Sequence, residues 1–235
     1  MQFRKMEQFE HHSALSGILE SVFHVHAPDH VVMSIFVALL LAAFAFWFRR
    51  RISVENPGKL QLLLEAAVAG LLGMLEETVG HKGRQFLGLV GTLGLFILVS
   101  NLLGLIPFFS SPTVSLNMTV GCALVSFLYY NYQGIRAQGV GPYFKHFLGP
   151  LLPLAIIMVP IEIISHLSRV LSLSMRLFGN IFGEELVVLV LGSLVPFLIP
   201  VPMMLFGVFG SVLQAFVFTM LTMIYLGGAV AAEEH

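Results

Sequence analysis

Residues 31–48, VVMSIFVALLLAAFAFWF, run for 18 positions without a charge and stop at Arg49-Arg50-Arg51. At about 1.5 Å per residue that run makes roughly 27 Å of helix, close to the thickness of a bilayer's hydrocarbon core. Comparable apolar stretches recur at 86–109, 118–135, 151–195 and 203–231. Lipid offers the backbone no hydrogen-bond partner, so segments of this kind must close their bonds internally as helices. With 57% hydrophobic residues and only 11% charged, the fold class expected is an all-α integral membrane protein with five membrane helices. A net charge of −1 and the lack of any basic block give no reason to expect nucleic acid as a partner. Cys122 is the single cysteine, so no intramolecular disulfide can form.

The basic triplet at 49–51 is expected on the cytoplasmic side, which leaves residues 1–30 as an external N-terminal tail. That tail is polar and acid-rich, and no cleavable signal peptide is expected in it. Its His24 and His26 have no third ligand at metal-site spacing, so they are read as solvated or headgroup-level residues, and no metal or cofactor is expected. Residues 31–235 form a single polytopic membrane domain in this reading. Asn56-Pro57-Gly58 breaks the chain, and the following stretch, 59–79, carries Glu65, Glu76 and Glu77. Too short and too charged to span comfortably, it is expected to lie as an amphipathic helix on the cytoplasmic interface. The 151–195 stretch would be roughly 67 Å long if straight. It must therefore be two pieces or a strongly tilted helix, and the last helix is read as long and tilted too. Five crossings leave the AAEEH terminus in the cytoplasm.

The 151–195 stretch also carries the chemistry. On a helical wheel, Glu162, Ser165, Arg169 and Ser172 fall within about 40° of Arg176, and Gly179, Asn180 and Gly183 continue the line. Charge on a membrane helix cannot face lipid, so this stripe must face protein or water. Glu185 projects from a different face. Glu162, His166, Arg169, Arg176, Glu184 and Glu185 place six ionisable groups within 24 residues. A static ion pair needs two such groups; an ion path needs several. The last helix has a sparser counterpart in Gly207, Gly210, Gln214 and Tyr225, where glycines allow close helix approach and Gln214 can hydrogen-bond across.

The string PIEIISHLSRVLSLSMRLFGNIFGEEL, followed by LQAFVFTMLTMIYL and a final EEH, resembles subunit a of the bacterial F-type ATP synthases, as do VSNLLGLIP and PTVSLNMT. The resemblance covers nearly the whole chain. It implies a non-catalytic subunit of a rotary motor in the bacterial inner membrane, with two offset aqueous half-channels that couple proton flow to rotation of a c-subunit ring. The partners it implies are that ring, the peripheral-stalk b subunits, the remaining complex and the lipid bilayer. Residue by residue, Arg176 matches the arginine facing the ring's carboxylate, and Gln214 the glutamine beside it. Glu185 matches the acid of the outer half-channel, with Asn180 between it and Arg176. Glu162 matches the acid near the cytoplasmic exit, with His166, Arg169 and Ser172 nearby. Two positions depart from the pattern: Ser115 stands where many relatives carry an acid, and Gly207 where some carry a histidine. Glu184 is the candidate to supply the ionisable group that Gly207 lacks.

The main rival is a proton-coupled secondary transporter, which would be expected to carry inverted repeats and paired broken helices. Neither is visible. A purely structural anchor gains nothing from six ionisable groups in one segment. No Walker-type loop is present, so the chain is not expected to bind ATP itself. Proton rather than sodium is the expected ion, the choice being set largely by the ring.

Overall fold

The computed structural model describes residues 28–80, 83–106, 109–143, 155–194 and 200–230. Most of the N-terminal tail, with His24 and His26, and the C-terminal AAEEH lie outside them. The described residues form six long helices, and no strand occurs among them. They are α1 (Asp29–Arg49), α2 (Lys59–Val79), α3 (Leu87–Gly104), α4 (Leu116–Gln138), α5 (Ala155–Leu194) and α6 (Pro200–Val230).

Local chemistry sets their ends. Asp29 lies in the first turn of α1 and Arg49 in the last, each complementing the helix dipole. Past that end, the Arg50 guanidinium sits 4.4 Å from the Phe46 ring centre and that of Arg51 sits 4.5 Å from Trp47. The α2 helix starts after an extended Gly58 and stops at Gly80, whose φ of 82° is the left-handed conformation that ends helices cheaply only at glycine. α3 stops at Gly104, short of the expected 109 and ahead of Pro107, because a proline disfavours helix in the residue before it. α4 runs past the expected 135 to Gln138, where Gly139 at φ 84° turns the chain. α5 is one continuous helix of 40 residues, which decides between two pieces and one; Pro160 sits near its start.

Among the described residues, four helical segments are long and apolar enough to cross a membrane: Asp29–Arg49, Gly83–Gly104, Ala155–Gly192 and Pro202–Val230. The expected fifth, 118–135, is helical within α4, but Tyr129, Tyr130, Asn131, Tyr132 and Gln133 dilute its apolar character.

The chain divides into two compact units. One contains the described residues through Arg51, with Phe96–Met118 and Phe178–Gln214. Its interior holds Met33, Val37, Ile97 and Ile181, and Phe36 stacks on Phe109 at 6.0 Å. A polar knot ties the end of α3 to the turn before α4. Ser111 Oγ donates to the Ser100 carbonyl at 3.0 Å, and Thr113 Oγ1 donates to Asn101 Oδ1 at 2.7 Å.

The other unit contains Ile52–Leu95, Thr119–Leu177 and the described residues from Ala215 onward. Its core is Leu75, Phe86, Val90, Tyr130, Met223, Leu226 and Val230. Small residues bring the helices close: a Cβ at Gly227 would lie 2.6 Å from the Thr78 carbonyl of α2, too near for any side chain. Ser126 of α4 donates to Thr222 of α6 at 3.0 Å, and Gln138 Nε2 donates to the Ala229 carbonyl at 2.7 Å. Gln61 folds the loop before α2 back on itself, bonding both backbone polar groups of Ser53 and the Glu65 carboxylate.

Candidate functional site

The polar residues of α5 fall into separate settings, each supplied by one unit. In the unit that includes Phe178–Gln214, α5 and α6 meet through small and polar residues. Asn180 Nδ2 donates to Gln214 Oε1 at 2.5 Å, so two expected site residues are paired directly. Gln214 is 3% exposed. Glu184 is half-buried and points at Gly207, where a Cβ would overlap its Oε1; Gly210 lies against its other oxygen. The absence of a side chain at position 207 is therefore what makes room for the carboxylate. Glu185 is half-buried beside it.

This unit also concentrates orphaned polar atoms. Glu184 Oε1, Ser211 Oγ, Gln214 Nε2, Ser100 Oγ and Asn101 Nδ2 are buried without a hydrogen-bond partner among the described residues. Each such atom costs on the order of 1–3 kcal/mol if left unsatisfied, so a run of them in one unit calls for a common explanation. Ser100, Asn101, Ser111 and Thr113 were not among the expected site residues. Their signal in the sequence is the interruption of apolar runs by Ser100-Asn101 and by the Ser110–Thr113 turn.

In the other unit the amino-terminal part of α5 packs on α4. Glu162 Oε1 lies 3.4 Å from His166 Nε2, one helical turn apart. On the other side of the imidazole, Nδ1 lies 3.1 Å from the Tyr130 hydroxyl of α4, and the two rings stack with centres 6.1 Å apart. Asn131 accepts a 2.6 Å bond from Tyr143 and donates to the Phe127 carbonyl. Burial pushes the Tyr143 hydroxyl above its ordinary range, so it stays a protonated donor. Arg169 is half-buried, with its guanidinium 5.2 Å from the Tyr225 ring centre. Tyr130 and Asn131 on α4, and Tyr143 just after it, escaped the wheel, which followed the polar faces of α5 and α6.

Arg176 and Ser172 share the stripe with Arg169 but not its surroundings. Both are exposed. Arg176 makes no ion pair with any acid among the described residues, although Glu162 and Glu185 lie on its own helix. Leu173 and Leu177, roughly 60° and 100° around the helix from Arg176, are buried. The exposed side of this helix thus carries Leu171 and Met175 together with the guanidinium, and lipid alone would not select a charge there.

Residues 31–227 match the family model described as ATP synthase A chain. The chain is similar to ATP synthase subunit a 1 of Pelobacter propionicus, with 50% identity over 88% of this chain and 89% of the relative. It is 47% identical to ATP synthase subunit a 1 of Syntrophotalea carbinolica, over 92% of each. To ATP synthase subunit a of Campylobacter jejuni it is 48% identical over 84% of this chain and 88% of the relative.

Proposed function

Because the chain belongs to the ATP synthase A chain family, we propose that it is the stator of a proton-driven rotary ATP synthase, working against a ring of c subunits. Family and apolar helices together make it a multi-pass membrane protein. In this reading α4 is the fifth crossing, α2 lies along the cytoplasmic interface, the N-terminus is external and the C-terminus cytoplasmic. The membrane is the bacterial inner membrane. Peripheral-stalk b subunits and the rest of the complex complete the assembly. At about 1.5 Å per residue, α5 is roughly 60 Å long and cannot stand upright in a hydrocarbon core about 30 Å thick, so it runs strongly tilted, with α6 beside it.

The observation that carries the reading is Arg176: an exposed guanidinium on a membrane helix whose own acids leave it unpaired. A permanent cation in that position needs a counter-charge, and another chain supplies it. A ring carboxylate has to be neutral to travel through lipid and ionised to exchange its proton. Burial disfavours the ionised form, whereas a nearby cation favours it. As each carboxylate reaches Arg176, its proton is released toward one side. Arginine suits the task because it stays protonated, while a buried lysine can give up its own proton. The fixed charge also repels protons from a direct route between the two aqueous paths, so each proton must ride the ring.

The outer path runs through Glu185, Glu184 and Asn180 toward Gln214. The orphaned polar atoms in that unit support water there, since buried water characteristically satisfies such groups. The inner path runs along Ser172, Arg169, His166 and Glu162. Each elementary charge crossing the membrane gains about 2.3 kcal/mol per 100 mV, so several are needed per ATP and leakage has to be blocked. The decisive experiment is Arg176→Ala in the assembled complex. ATP-driven proton pumping should be lost while assembly is retained; near-normal pumping would refute the role.

A further inference from the structure

We propose that Tyr130 is a positioning residue of the inner path, acting through His166 on the Glu162 carboxylate. The inference rests on the inner-path reading above and adds a residue from α4 to it. Tyr130 is a fully buried phenol, 1% exposed, at the centre of the unit's core. A hydroxyl in such a place needs a partner. Among the described residues its partner in hydrogen-bond geometry is His166 Nδ1, at 3.1 Å. The neighbouring amide is already engaged: Asn131 Oδ1 takes the Tyr143 proton and its Nδ2 serves the Phe127 carbonyl.

The consequence follows from imidazole chemistry. A neutral ring has one N–H and one bare nitrogen, and the partner of one nitrogen fixes the state of the other. With Tyr130 donating to Nδ1, the proton sits on Nε2, which faces Glu162 Oε1 at 3.4 Å. The donor then points at the carboxylate and holds it in place. In the other tautomer a lone pair would face the carboxylate and repel it. Ring packing reinforces the choice: Tyr130 stacks on His166, and Phe127 meets both rings edge-on, at 5.4 and 6.0 Å. Among the described residues, the charged and titratable groups around the imidazole include Glu162 and Arg169 on α5, Tyr130 on α4, Tyr143 just after it, and Tyr225 on α6.

The test is Tyr130→Phe in the complete complex reconstituted in vesicles, since phenylalanine keeps the stacked ring and removes only the hydroxyl. Assembly is followed by co-purification of the other subunits. Two readouts are taken: ATP-driven proton pumping, and the nitrogen NMR spectrum of histidine-labelled complex, with the His166 signals identified by their loss in His166→Gln. Wild type should show Nδ1 unprotonated and Nε2 protonated. Tyr130→Phe should mix the tautomers and lower pumping about five-fold, the factor one ordinary hydrogen bond is worth. A wild-type His166 protonated at Nδ1 overturns the proposal, and so does a change in only one readout. If instead Glu162→Gln and His166→Gln both pump normally, the inner-path reading itself fails, whatever the tautomer spectrum shows.

Discussion

Gly207→Ala tests the outer path through a single methyl group. Gly207 is buried on α6 and faces the Glu184 side chain of α5. A Cβ built there overlaps Glu184 Oε1, comes within 3.0 Å of its Cδ and lies 2.6 Å from Leu105 Cδ2. All of these are ends of side chains, so the helices need not part and the complex should assemble. The cost falls on the carboxylate, whose Oε1 is buried without a protein partner and must find another position. Forcing a methyl into a filled site costs about 1–3 kcal/mol. At about 1.4 kcal/mol per factor of ten, that lowers the population with the carboxylate in its present position roughly 5- to 150-fold. We expect ATP-driven proton pumping by vesicles carrying the assembled complex to fall about ten-fold. Two companions make the result specific. Gly210→Ala, whose Cβ would sit 3.4 Å from Glu184 Oε2, should pump nearly as wild type. Gly207→Ala combined with Glu184→Asp, which draws the carboxylate back by about one carbon–carbon bond of 1.5 Å, should recover part of the loss. Undiminished pumping in Gly207→Ala, or equal damage from Gly210→Ala, would refute the reasoning.

Glu185→Gln should slow proton uptake from the outside by at least about ten-fold, as removal of an acid–base group does; pumping that is unchanged across pH removes Glu185 from the path. Cysteines at Glu162 and at His166 should react with a water-soluble thiol reagent added from the cytoplasmic side, and complete protection at both sites would argue against an aqueous inner path. Gly227→Ala presses a methyl onto the Thr78 carbonyl, a backbone atom that cannot swing aside. It should lower the melting temperature of the solubilised protein by several degrees, at about 2–4 °C per kcal/mol for a chain of this size; an unchanged melt means that α2 and α6 do not need that approach.

The elements of this protein could be read from local sequence because helix formation is local. Asn56-Pro57-Gly58 and Gly80 bracket α2, which occupies Lys59–Val79. The basic triplet closes α1, and the uninterrupted run after Pro160 gives one long α5. Helical periodicity alone put Arg176, Arg169 and Glu162 on one stripe, because 3.6 residues per turn fixes which side chains share a face. Apolar content was less decisive for α4, where tyrosines and amides occupy positions that lipid-facing helices give to leucine.

Which partner each polar group meets was decided by tertiary structure. Asn180 finds Gln214 across 34 residues and Tyr130 finds His166 across 36. Glu184 fits because glycine stands at position 207 on another helix. A wheel gives direction around one axis and says nothing about what stands opposite. Hydrogen bonds act over about 3 Å, so only the packing of helices distant in sequence determines which donors and acceptors come within reach, and which guanidinium is left facing outward.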